Sequence, residues 1–160
     1  MGLTRVFIHG LESSSQGTKG EFFRTRYQDM IIEDYIGTFQ ERMNRLNAIL
    51  SDKNDLILVG SSYGGLMAAV FANSNEGKMK KLILLAPAIH LDEFKPYSNK
   101  KLHIPVILYH GIHDDVVSPE AVRDIAFTAF PNLEYYSVDD DHSLHNTFTL
   151  MDWDKLLEIQ

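Results

Sequence analysis

The feature that most restricts the fold is a run of small residues between a strand-like and a helix-like segment. Apolar residues 56–59 are followed at once by Gly-Ser-Ser-Tyr-Gly-Gly, and residues 66–72 then have the composition of a helix. A strand that turns directly into a helix brings two backbones close together, so Gly60 and Gly64 remove Cβ atoms that would collide. The turn leaves the Ser62 hydroxyl exposed above a helix N-terminus, which suits a nucleophile. On these residues alone, a Gly/Ser-rich turn without chemistry and a phosphate-binding loop remain open.

Short apolar runs alternate with helix-like segments along the rest of the chain. Strands are predicted at 5–8, 30–32, 55–59, 81–86, 105–109 and 133–138, and helices after the capping-box patterns 18–21 and 38–41 and at 64–75, 118–130 and 146–158. This alternation, with short connections, predicts an α/β fold: a three-layer sandwich whose mostly parallel sheet of about six strands has helices on both faces. We expect one domain over residues 1–160.

Composition excludes several classes of function. The net charge of −7 argues against nucleic acid or an anionic membrane as a partner, because both select a basic surface. The chain has no cysteine, which excludes a thiol nucleophile and cysteine-ligated zinc. Neither a signal-peptide pattern nor an apolar run of membrane-spanning length is present, so we expect a cytoplasmic protein. The sequence leaves the oligomeric state open.

Reactive side chains follow several of the predicted strands. His9-Gly10-Leu11, Ser62, Asp114 and His142 each come just after an apolar run. Because parallel strands point their carboxyl ends to one edge of the sheet, we expect these groups to meet there.

The order Ser62, Asp114, His142 is the nucleophile–acid–base order of the α/β-hydrolase superfamily, which the chain resembles. The resemblance also includes His-Gly after the first strand, the glycine-flanked serine, and the motif His-Gly-Ile-His-Asp-Asp-Val-Val at 110–117. It spans nearly the whole chain, but a leading hairpin and an inserted cap are missing. The chain is therefore most similar to small, lidless bacterial serine esterases.

This resemblance implies specific roles. His142 would take the proton of Ser62, and Asp114 would orient the imidazole. The backbone N–H groups of Leu11 and Tyr63 would form an oxyanion hole. For substrate binding we expect contributions from the first-strand loop and from the apolar lip of segment 87–103: His9, Gly10, Ile89 and Phe94. No cofactor or metal is expected.

Several alternatives accompany these assignments. Asp115 competes with Asp114 for the acid, and His145 competes with His142 for the base, although we expect His145 to face elsewhere. Residues 139–141 are interpreted as a solvated acidic turn. A metal site built from histidines is disfavoured, because the two pairs, His110/His113 and His142/His145, lie in predicted loops.

The function that these residues favour is hydrolysis of an ester or thioester of a small acyl group through an acyl-enzyme, with a small molecule as the substrate. The same residues also allow amide or C–C bond hydrolysis, or perhydrolysis, because fold and catalytic residues do not fix the substrate. From a different class, the chain would be a binding module for an acyl or hormone-like ligand, although a pure binder does not need all three groups.

Overall fold

A six-stranded parallel sheet forms the centre of the protein in a computed structural model, which describes residues 2–160. The strands are β1 (Thr4–Ile8), β2 (Ile31–Ile32), β3 (Leu56–Ser61), β4 (Met79–Leu85), β5 (Val106–Gly111) and β6 (Leu133–Val138). Their order across the sheet is β2-β1-β3-β4-β5-β6, and every neighbouring pair is parallel. The predicted sheet is confirmed in strand number and direction.

Helices cover both faces of the sheet. They are α1 (Thr18–Arg26), α2 (Phe39–Leu50), α3 (Tyr63–Ser74), α4 (Pro119–Ala129) and α5 (Trp153–Leu156), with short 3-10 turns at Glu76–Lys78, Asp92–Tyr97 and Phe148–Leu150. One core contains the apolar faces of α2, α3 and α4, and the other contains Phe23 of α1 and Trp153 of α5. Within residues 2–160, no helix combines the length and apolar character needed to cross a bilayer.

The central strands are buried on both faces, which explains their unbroken apolar sequences. In β3, Leu58 packs into the core beneath α3, while its neighbours Ile57 and Val59 pack into the core beneath α1. Successive side chains of a strand point to opposite faces, so a strand covered on both sides must be apolar at every position.

Two of the three predicted capping patterns are confirmed, and one is wrong. Thr38 and Glu41 form a reciprocal capping box at α2, and the Ser118 hydroxyl accepts a hydrogen bond from the Ala121 N–H at α4. At α1 the capping residue is Gly17, with no side-chain cap, and Thr18 is already helical. The Glu21 N–H, which the predicted capping box would bring to the Thr18 hydroxyl, donates instead to the Gly17 carbonyl oxygen at 2.9 Å.

The predicted closing helix over 146–158 is also wrong, because this segment is broken into a 3-10 turn and the short helix α5. Trp153 donates its indole N–H to the Phe148 carbonyl oxygen at 2.8 Å, and the Asp152 carboxylate accepts from the Lys155 N–H to start α5 anew. The break stacks Trp153 edge-on against Phe23, with ring centroids 4.8 Å apart. Burial of these aromatic rings thus decides the backbone path.

The strand order reverses at β1, which lies between β2 and β3. The chain leaves β1 toward one edge of the sheet and then returns to build the other side. In open α/β sheets a crevice forms at such a point, outside the carboxyl ends of the strands. The loops that follow β1 and β3 therefore flank the crevice, and they carry Gly10, Leu11 and Ser62.

Candidate active site

Ser62 occupies the turn between β3 and α3 in a strained backbone conformation. Its φ is 55° and its ψ is −116°, a region that non-glycine residues avoid. Long-range hydrogen bonds hold it there: its N–H donates to the Leu85 carbonyl at 2.9 Å, and its carbonyl accepts from the Ala88 N–H at 2.9 Å. The hydroxyl is thereby presented at the top of the sheet, as the sequence predicts.

The two flanking glycines are required by close backbone contacts. A Cβ on Gly60 would lie 2.4 Å from the Gly64 carbonyl oxygen, which is the predicted strand–helix contact. A Cβ on Gly64 would lie 2.1 Å from the carbonyl oxygen of Ile8 and 2.5 Å from that of His9. Gly64 therefore faces β1 rather than β3, and the absence of its side chain allows α3 to approach the loop after β1.

A continuous hydrogen-bond chain joins the three residues that the sequence singles out. His142 Nε2 lies 3.0 Å from Ser62 Oγ, and His142 Nδ1 lies 2.6 Å from Asp114 Oδ2. An ionised carboxylate only accepts hydrogen bonds, so His142 donates from Nδ1 and its Nε2 lone pair is directed at the serine hydroxyl. In this arrangement the imidazole is able to take the proton of Ser62.

Asp114 is buried, and its carboxylate is held by the loop after β5. Oδ1 accepts from the N–H groups of Val116 and Val117, each at 2.8 Å, while Oδ2 bonds to His142. Burial acts to raise the pKa of Asp114, but these hydrogen bonds outweigh it and hold the pKa below its usual value. Asp115 is exposed. Of the two candidate acids, Asp114 is therefore the one beside the imidazole.

The loop that carries His142 is shaped by a buried carboxylate, and the interpretation of residues 139–141 as a solvated turn is wrong at Asp140. Its side chain is 4% exposed and accepts from the N–H groups of Asn146 and Thr147 at 2.9 and 2.8 Å. Although burial opposes it, this bonding lowers the pKa of Asp140. The sequence gives no signal for this role, because the bonds depend on how the following residues fold back.

Lys19 of α1 also reaches this loop. Its ammonium donates to the Ser143 carbonyl at 2.7 Å and lies 5.3 Å from the centre of the Phe148 ring. Burial is the largest influence on Lys19 and lowers its pKa, with Asp141 and Asp140 opposing that effect. Nothing in the sequence pattern pointed to Lys19, because the contact spans more than a hundred residues.

The N–H groups of Leu11 and Tyr63 are in the region where an oxyanion hole is expected. Tyr63 is the first residue of α3, so its N–H has no carbonyl one turn earlier in the helix. Leu11 follows Gly10, whose ideal Cβ position is 3.5 Å from Ser62 Cβ. Both residues line the same cavity as Ser62. Both residues therefore lie near Ser62, where an oxyanion hole would require N–H donors.

A cavity of about 750 Å³ opens over Ser62 and His142. Leu11, Tyr63 and Leu91 contribute apolar surface to it, while Lys19 and Glu12 contribute charge. This volume is in the range of small-molecule binding sites.

Three of the four predicted substrate-binding residues are corrected. Ile89 and Phe94 are buried in the core beside α3, and the cavity wall from this segment is formed by Ala88, His90 and Leu91. Ile89 and Phe94 thus help to close the core, while the neighbouring Leu91 lines the cavity. Gly10 does line the cavity.

His9 is the third correction, since it is buried and outside the cavity wall. Its Nε2 accepts from the Tyr35 N–H at 2.9 Å, so the proton is on Nδ1, which donates to the Gly10 carbonyl at 2.7 Å. His9 thus shapes the loop after β1 rather than contacting the cavity.

His145, expected to face elsewhere, lines the cavity from the loop after His142. It is not the group that contacts Ser62. Among residues 2–160, no three His, Cys, Asp or Glu side chains are arranged to hold a metal ion. His110 bonds instead to Asp114, and His113 to Asp139.

Comparison with solved structures identifies the same architecture elsewhere. Est1E from Butyrivibrio proteoclasticus superposes with a TM-score of 0.79 at 18% identity, over 98% of this chain and 85% of that one. Mouse alpha/beta hydrolase domain-containing protein 10 gives a TM-score of 0.76 at 20% identity, over 97% and 89% of the two chains. An esterase of Pyrococcus furiosus gives 0.73 at 18% identity, over 97% and 80%. At these identities the likeness concerns the fold.

Sequence comparison supplies the family. No curated protein matches the chain. A hydrolase family model described as "Serine aminopeptidase, S33" matches residues 8–100, which run from the end of β1 through the Ser62 turn and β4. Because this match covers more than half of the chain, the protein belongs to the serine aminopeptidase family of α/β hydrolases.

Proposed function

We propose that the protein is a serine hydrolase that cleaves esters or thioesters of small acyl groups through an acyl-enzyme. The observation that carries this proposal is the hydrogen-bond chain from Ser62 Oγ through His142 to Asp114 Oδ2. A serine hydroxyl becomes a useful nucleophile only when a base accepts its proton, and the base works best when a carboxylate fixes its tautomer.

The reaction divides into two steps. Ser62 Oγ attacks the acyl carbonyl carbon while its proton passes to His142 Nε2, and the oxyanion accepts hydrogen bonds from the Leu11 and Tyr63 N–H groups. Collapse expels the alcohol or thiol, which takes the proton from His142, and leaves an ester on Ser62. Water then attacks this ester with His142 again as the base, releasing the acid and restoring the serine.

The shape of the cavity supports the proposal that the acyl group is small. It is open to the surface, and its wall is formed by loops and by the start of α1 rather than by an inserted domain. A site of this kind fits a short acyl chain, or an acyl group displayed on a larger molecule, better than a long lipid. We propose that residues 1–160 carry out this reaction as a single domain without a cofactor.

The test is covalent labelling of the purified protein with a fluorophosphonate, with the adduct located by peptide mass. Such a probe reacts rapidly only with a serine that is activated by a base and an oxyanion hole. Wild type is expected to be labelled at Ser62, and Ser62→Ala to lose both the label and hydrolysis of p-nitrophenyl acetate. Ser98→Ala, which changes a serine outside the cavity, is the matched control and should behave as wild type.

A folded wild-type protein that resists the probe would contradict the proposal. With p-nitrophenyl acetate, a slow burst of product that leaves a stable acyl adduct and no turnover would instead favour the binding module.

Amide hydrolysis is the second candidate, favoured by the description of the matching family. An amine is a poorer leaving group than an alcohol, so it depends more on proton donation from His142. Comparing the hydrolysis of an aminoacyl p-nitroanilide with that of the matching p-nitrophenyl ester distinguishes amide hydrolysis from ester hydrolysis as the main activity. A kcat/KM for the anilide equal to or above that for the ester would make the peptide bond the preferred substrate.

A further inference from the structure

A second histidine contacts the Asp114 carboxylate from inside the protein. His110 lies in β5, and its side chain is fully buried. Its Nε2 is 2.9 Å from Asp114 Oδ2 and 3.2 Å from the Val117 carbonyl oxygen. The hydrolysis described above assigns no task to this imidazole.

The contacts determine which ring nitrogen carries the proton. Both neighbours of Nε2, the carboxylate and the Val117 carbonyl, are acceptors, so Nε2 must carry a proton and donate it. His110 Nδ1 has no hydrogen-bond partner among residues 2–160, and a second proton there would be a buried, unpaired donor. Burial accordingly lowers the pKa of His110, against the attraction of Asp114. The ring is neutral at neutral pH.

Asp114 Oδ2 therefore accepts from two imidazoles at once. The donors are His142 Nδ1–H at 2.6 Å and His110 Nε2–H at 2.9 Å, and the other carboxylate oxygen is occupied by two backbone N–H groups. Each donor disperses part of the negative charge. The more charge His110 takes up, the less Oδ2 stabilises a proton on His142.

We propose that His110 is a positioning residue that fixes Asp114 and moderates the basicity of its Oδ2 toward His142. The consequence is that activity persists to a lower pH than it would with a carboxylate that lacked the His110 donor. The ionisable groups that face His110 are Asp114, from the loop after β5, and His142, from the loop after β6. This proposal rests on the proposed function, because it concerns the same three groups.

The test compares two substitutions through the pH dependence of kcat/KM for p-nitrophenyl acetate. His110→Phe removes the donor, and His110→Gln replaces it with a carboxamide N–H of similar reach. The acidic limb of the profile reports the protonation of the essential base in the free enzyme. With His110→Phe its midpoint should rise by roughly 0.5–1 pH unit and kcat should fall about tenfold, while His110→Gln should keep a midpoint near that of wild type.

A role in folding alone would lower activity without moving the midpoint. Unchanged midpoints in both variants, or equal shifts in both, would overturn the proposal.

A measurement on the wild-type protein tests the protonation of His110 without depending on catalysis or on the folding of a variant. Long-range ¹H–¹⁵N NMR distinguishes the two neutral tautomers and the charged ring. From pH 5.5 to 8 the His110 ring should remain in the Nε2–H form. A proton on His110 Nδ1, or titration of the His110 ring within this range, would overturn the proposal even if His110→Phe does not fold. Absence of fluorophosphonate labelling would instead contradict the proposed function and leave this spectrum unaffected.

Discussion

Gly64 provides the sharpest test of how the site is assembled, because its replacement by alanine sets two opposing effects against each other. In a helix, alanine is more favourable than glycine by about 1 kcal/mol, so helix propensity alone predicts stabilisation. The added Cβ, however, would lie 2.1 Å from the Ile8 carbonyl oxygen and 2.5 Å from that of His9. Both atoms belong to the backbone, so no side-chain rotation relieves the contact.

We expect the cost of the steric contact to exceed the gain from helix propensity. Overpacking in a close-packed site costs typically 1–3 kcal/mol, and a contact this short with backbone belongs at or above the upper end. After the gain in helix propensity, a net loss of about 2 kcal/mol remains, which corresponds to a fall in Tm of about 4–8 °C for a domain of this size. Relief requires β1 and the loop after it to move away from α3. That movement displaces Leu11 from Ser62, so kcat/KM should also fall tenfold or more.

The assay is thermal unfolding by circular dichroism together with kcat/KM for p-nitrophenyl acetate. Gly77→Ala is the matched control, since a Cβ there has no heavy atom within 4 Å. Its Tm and its activity should stay close to those of wild type. If Gly64→Ala and Gly77→Ala had the same Tm within about 1 °C, the inferred contact between α3 and the loop after β1 would be wrong.

Three further predictions concern the His142 loop and the dependence of activity on a metal ion. Because the folded-state pKa of Asp140 is depressed, its contribution to stability is present above the unfolded-state pKa of about 4 and is lost as pH falls through the folded value. The free energy of unfolding measured in urea should therefore change less between pH 7 and pH 3 for Asp140→Asn than for wild type. An equal change in both proteins would contradict this role of Asp140. Lys19→Met removes the hydrogen bond to the Ser143 carbonyl and should reduce kcat several-fold with little change in KM. If Lys19 only bound the substrate, KM would rise and kcat would stay unchanged. Dialysis against EDTA should leave esterase activity unchanged, and a loss restored by zinc would require a metal site.

The sheet could be predicted from the sequence because its signals are local. Each buried parallel strand is a continuous apolar run, and two helix starts have capping residues at the expected spacing, at Thr38 and Ser118. Ser62 was found for the same reason, since its two flanking glycines and the adjoining strand and helix are contiguous. Local patterns failed where tertiary packing decides the backbone path, as at the break before Trp153.

Contacts between distant parts of the chain were outside the reach of pattern reasoning. The Lys19–Ser143 bond joins α1 to the loop after β6, and Ile89 and Phe94 are apolar residues whose direction, into the core or into the cavity, no local pattern fixes. His110 is an intermediate case. It precedes Asp114 by four residues in the 110–117 motif, but the sequence does not show that a residue at the end of a strand turns toward the carboxylate of the next loop.

The strain at Ser62 has counterparts nearby, which suggests how the site is kept rigid. Ala86, directly after β4, and Leu144, two residues after His142, also have positive φ values, 44° and 54°. Each costs on the order of 1–3 kcal/mol for a non-glycine residue and persists only where surrounding bonds fix it. Ala86 donates its N–H to the Tyr109 carbonyl at 2.8 Å, and Leu144 donates to that of Asp141 at 3.2 Å. The stability of the buried sheet thus offsets strained turns that hold the serine and the imidazole 3.0 Å apart before any substrate arrives.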